Sequence, residues 1–130
     1  MSDEITDKLS QIESLLDDCK TRISDIQGLL LVSREGLPIA ASLSSSEDTD
    51  EDRLSAMTAA ALNLAERVVV ELNKGNLKEM TVKGDAGLVI IIQVGEQAVL
   101  TGTTLSEARL GLILLEMKRT AKSISKILIE

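Results

Sequence analysis

The chain has 130 residues, 44% of them hydrophobic, carries a net charge of −7, and contains no aromatic residue and no histidine. One domain's worth of sequence must therefore build its core from Leu, Ile, Val, Met and Ala. Without aromatics there is no base-stacking platform, and an acidic balance disfavours binding to nucleic acid or to anionic membranes.

The missing histidine removes the commonest general base and the commonest metal ligand. A single cysteine, Cys19, excludes an intrachain disulfide, an ordinary zinc site and a Cys–His nucleophile pair. It points to a reducing compartment. The first residues, MSDEITDKL, lack the apolar core of a signal peptide, and no apolar run approaches the ~20 residues that span a bilayer. The expectation is a cytoplasmic protein with no cofactor, no metal and no membrane insertion.

Residues 3–25 place Ile5, Leu9, Ile12, Leu15, Leu16, Cys19 and Ile23 at helical spacing among polar residues. Cys19 falls on that stripe and is read as a packed small hydrophobe. Gly28 is expected to end this helix, followed by a buried strand at 29–33. Arg34-Glu35-Gly36 reads as a hairpin with Gly36 at the positive-φ position. The returning strand, 37–43, carries Pro38, which cannot donate to a ladder and so marks a sheet edge.

Residues 44–52 form an acidic loop. Asp48, Asp50 and Asp52 alternate as in a calcium loop, but the sixth position is not glycine and Ala59 stands where the bidentate acid belongs. The acids instead suit a helix N-terminus, with Thr49 and Asp52 in a capping pattern.

The long helix at 54–72 carries more apolar surface than one core needs. A wheel at about 100° per residue puts Leu54, Met57, Ala61, Leu64, Ala65, Val68 and Leu72 on one stripe, widened by Leu62 and Val69 and expected on the sheet. The back face, Ala56, Ala59, Ala60, Asn63 and Val70 with few charges (Glu66, Arg67), is expected to meet a partner.

Lys74-Gly75-Asn76 stops the helix. A strand at 77–83 near a sheet edge places Met80 and Val82 on one face. Gly84-Asp85-Ala86-Gly87 makes a turn and lacks the following Gly-Lys-Ser/Thr of a phosphate-binding loop. Residues 88–94, apolar on both faces, read as a central strand. A tight turn at 95–97 leads to the last strand, 98–103, with Gly102 as a bulge or close approach. Thr104-Leu105-Ser106-Glu107 reads as a capping box opening the final helix, whose stripe is Leu110, Ile113, Leu114, Met117, Ala121, Ile124 and Leu128.

The expected fold is α+β in three layers, helix–sheet–helix, with a five-stranded, mainly antiparallel sheet and the order α-β-β-α-β-β-β-α. Residues 1–130 form one domain, with an N-terminal helix at 1–25 and the acidic loop at 44–52.

Three stretches of this order, 26–42 (IQGLLLVSREGLPIAAS), 52–72 and 100–121 (LTGTTLSEARLGLILLEMKRTA), make the sequence similar to the roadblock / dynein light-chain family. The resemblance implies homodimers, or heterodimers with a related chain. Such dimers pair the strand after the middle helix and pack the two middle helices together. That maps the interface onto Ala56, Ala59, Ala60, Asn63, Arg67 and Val70 of the helix and Leu77, Met80 and Val82 of the strand. It further implies a non-catalytic module that binds, scaffolds or regulates a small Ras-like GTPase. A structural adaptor or light-chain role without nucleotide dependence is the alternative, and a small-molecule-sensing domain ranks last.

Overall fold

In the computed structural model, which describes residues 2–44 and 50–129, the elements follow the order expected from the sequence. They are α1 (Ser2–Arg22), β1 (Ile26–Ser33), β2 (Pro38–Ser42), α2 (Glu51–Glu71), β3 (Glu79–Gly84), β4 (Gly87–Val94), β5 (Ala98–Thr104) and α3 (Leu110–Ile129). The strands make one sheet in the order β2-β1-β5-β4-β3, every neighbouring pair antiparallel. Pro38 opens an outer strand, and β3 is the other outer strand. The middle position belongs to β5, with β4 one place toward the β3 edge.

Two layers of unequal weight cover this sheet. On one face α1 and α3 pack over a cluster that includes Ile12, Leu16, Leu29, Leu31, Ile90, Leu100, Met117 and Ile124. On the other face α2 lies against β1 and β2 over Leu30, Val32, Ile91 and Val99. Alternation along the strands explains the division, because successive side chains point to opposite faces. At Gly102 α3 comes close: a Cβ there would stand 2.9 Å from Met117 Cε.

The structure corrects several boundaries. Gly28 does not end α1, which stops at Arg22; a turn through Ile23 leads straight into β1, and Gly28 lies inside that strand opposite Thr103. The register shift between Ile26 and Gly28 absorbs the irregularity. At the end of α2 the left-handed residue is Asn73 (φ 57), and Asn73 N–H and Lys74 N–H donate to Val70 O and Val69 O in a Schellman pattern.

The capping box at 104–107 does not form. Thr104 ends β5, and its hydroxyl accepts from Leu88 N–H at 3.0 Å. Arg109 instead stands at the start of α3, and its backbone N–H donates to Asp25 Oδ2 at 2.8 Å. The same carboxylate takes Arg109 Nη2 at 2.9 Å and Nε at 3.1 Å, so one aspartate beside β1 clasps the start of α3. A local motif lost to a long-range one because Thr104 was already committed to the sheet.

Candidate interaction surface on the middle helix and outer strand

The cap of α2 is Asp50, whose side chain accepts from Asp52 N–H at 2.9 Å. Thr49, expected to start that cap, and Asp48 lie outside the described residues. Two contacts with the β1–β2 turn set how the helix lies. Gly36 (φ 96) lets Ala59 come close, since a Cβ at Gly36 would stand 3.2 Å from Ala59 Cβ. Arg34 pairs with Glu66 one turn past the middle of the helix.

In this pose the helix is phased differently from the sequence wheel. The residues buried against the sheet are Ser55, Thr58, Ala59 and Leu62. One side of the stripe assigned to the core faces out, Met57 being 53% exposed, Leu64 64%, Val68 49% and Leu72 63%, while Leu54, Ala61 and Leu62 on its other side do pack against the sheet. The wheel is off by about a quarter-turn rather than inverted: Leu62 is buried and Ala56, Ala60, Asn63 and Val70 are exposed as expected, while Ala59 turns inward. Grease per turn cannot distinguish a core from a partner, and here the outer stripe is the greasier of the two.

The candidate interface residues divide accordingly. Ala59 points inward and is buried. Ala56, Ala60, Asn63, Arg67 and Val70 are exposed, Leu77 and Met80 are half-buried, and Val82 is exposed. Met80 stands opposite Ile91 and Val82 opposite Val89, which puts both on the α2 side of the sheet. Among the described residues no strand lies outside β3, so its backbone edge is open. An apolar helix stripe and an unpaired strand on the same side of the sheet make a surface suited to non-covalent pairing. Met57, Leu64 and Val68 were the residues missed as surface, although their spacing was visible.

Beside this surface, where β3 begins, a cleft of about 750 Å³ is lined by Arg34, Glu66, Val70, Leu77, Glu79 and Lys118 among others. Its charges answer one another: Arg34 pairs with Glu66, and Lys118 Nζ lies 2.7 Å from Glu79 Oε1. Elsewhere, the Arg109 guanidinium and backbone N–H hold the Asp25 carboxyl down at about 2. Burial pushes the Cys19 thiol up, which suits packing rather than reaction. Among the described residues no group of His, Cys, Asp or Glu is arranged to hold a metal ion, and no helix is long and apolar enough to cross a membrane.

A three-layer α+β domain with this element order defines a known class, and comparison with known proteins identifies it. Residues 13–104 match the Roadblock/LC7 domain, and the chain belongs to that family. It is 35% identical over 99 residues to the uncharacterized protein MJ1340 of Methanocaldococcus jannaschii, covering 76% of this chain and 84% of the relative. A second protein of that organism, MJ0714, is 31% identical over 116 residues, covering 87% and 96%. Among solved structures, MglB in a tetrameric arrangement superposes with a TM-score of 0.86 at 20% identity, covering 92% of this chain and 89% of that one. The gliding protein MglB of Thermus thermophilus gives 0.83 at 19% identity, covering 92% and 90%. At these identities the structural likeness speaks for the fold.

Proposed function

We propose that the chain is a non-catalytic module that assembles with a second copy of itself, or with a related chain, and binds, scaffolds or regulates a small Ras-like GTPase. The observation that carries the reading is the outward apolar stripe of α2 lying on the same side as the open edge of β3. A twofold arrangement brings like to like: β3 can pair antiparallel with its own copy, and the two stripes can cover one another. Within the candidate interface, Met80 and Val82 extend the apolar surface from the strand. Ala60, Asn63, Arg67 and Val70 border it on the helix.

Membership of the Roadblock/LC7 family supports the partner assignment, since roadblock domains mostly serve small GTPases or motor complexes. Solution mass tests the assembly, measured by light scattering with refractive-index detection because the chain has no Trp or Tyr. Pulldown against small GTPases loaded with GTP or GDP tests the partner. A monomer at micromolar concentration refutes the assembly, and equal indifference to both nucleotide states refutes regulation.

A further inference from the structure

The inner face of α2 is a poor seat. Of its buried residues Ser55, Thr58, Ala59 and Leu62, only Leu62 is a large hydrophobe, and Leu54 and Ala61 pack beside it only partly buried. The hydroxyls of Ser55, on the helix, and of Thr101, on the sheet face toward α2, are both buried without a hydrogen-bond partner. Neither finds a partner within the chain, as Thr120 on α3 also does not, and an unpaired buried hydroxyl opposes the seated state. The polar tie between the helix and the β1–β2 turn, Arg34 to Glu66, is part-exposed and so contributes little. The opposite face of the sheet has a far more extensive apolar cluster under α1 and α3. One large layer can therefore keep the sheet intact while the small layer moves.

We infer that α2 holds this seat only in the assembled protein. With a second copy against it, the outer stripe is covered and the helix is pinned from both sides. When that copy leaves, Met57, Leu64 and Val68 return to water and the helix lifts from the sheet, freeing Ser55 and Thr101 to bond with solvent. The α1–α3 layer and the strands stay in place. Dissociation would then expose the face of Leu30, Val32 and Val99, so partner loss is signalled by a change of shape. The inference rests on the assembly reading above, and the test separates the two.

Thiol labelling of the full chain reads the seat directly, with native Cys19, buried between α1 and α3, as the internal reference. Ser55→Cys replaces the orphaned hydroxyl with a near-isosteric thiol, and Leu62→Cys gives a second probe nearby. Labelling is followed above and below the dissociation midpoint, and again in a Leu64→Glu background that holds the chain apart. The expected result is at least tenfold faster labelling of the introduced thiol in the dissociated chain, with the Cys19 rate unchanged. An introduced thiol that stays masked after dissociation overturns the inference and leaves the assembly intact. Acceleration of Cys19 in step with it means global unfolding and also overturns the inference. A chain monomeric throughout refutes the assembly and, with it, this inference, whatever the state of the thiol.

Discussion

Replacing Leu64 by glutamate tests the outer stripe most directly. Leu64 is 64% exposed, so about two-thirds of its burial is still to be gained. Covering a leucine fully stabilises by about 1.5–3 kcal/mol, which leaves ~1–2 kcal/mol available in each copy. In a twofold interface the same residue acts from both sides, so Leu64→Glu forfeits ~2–4 kcal/mol before any desolvation of the carboxylates. At about 1.4 kcal/mol per decade, the dissociation constant rises roughly 30- to 700-fold. Sedimentation or light scattering over a dilution series measures it, and far-UV circular dichroism checks that the fold is kept. Leu115→Glu is the control, because Leu115 is comparably exposed but sits on α3, across the sheet. A change smaller than threefold in Leu64→Glu, or an equal loss in Leu115→Glu, would show that the stripe does not hold two copies together.

Other perturbations probe the scaffold. At Gly87 (φ 149) a Cβ would stand 2.1 Å from the Thr104 carbonyl oxygen, which is backbone and cannot swing aside. Overpacking and backbone strain together put the cost of Gly87→Ala at about 2–6 kcal/mol, a melting temperature lower by roughly 10 °C or more. Gly75→Ala, also at positive φ but facing open space, costs only about 1–2 kcal/mol by the same melting assay. For Asp25 the folded pKa, about 2, lies below the ordinary 3.8. The clasp on α3 therefore contributes fully above pH 4 and is lost as the pH falls toward 2. A carboxyl NMR titration should place Asp25 near 2 in the native chain and return it toward 3.8 in Arg109→Ala.

How much of this was legible in the sequence depends on how far each signal reaches. The Arg34–Gly36 hairpin, the edge position of Pro38 and the close approach at Gly102 were readable because each is a local steric fact. The start of α3 was not, because its cap is Asp25, far away in the chain, and Thr104 resembles a cap only until the sheet claims its hydroxyl. The phase of α2 failed for a different reason. A wheel assumes that the greasiest stripe faces the core, and Met57, Leu64 and Val68 break that assumption. Such a breach is expected at a functional surface, where a local rule yields to a partner. Ala59 was swept into the wrong face with it, though Gly36 opposite is the residue that makes room for it.

The seam between β1 and β5 sets the timetable on which the molecule can be completed. Ser33 lies opposite Ala98 and Ile26 opposite Thr104, so the β1–β2 hairpin must wait until residues 98–104 are synthesised before its inner edge is satisfied. Until β5 emerges from the ribosome, Leu29 to Val32 have no neighbour on that side. A nascent chain arrested before residue 98 therefore carries a bare strand edge, the kind of surface on which chains aggregate.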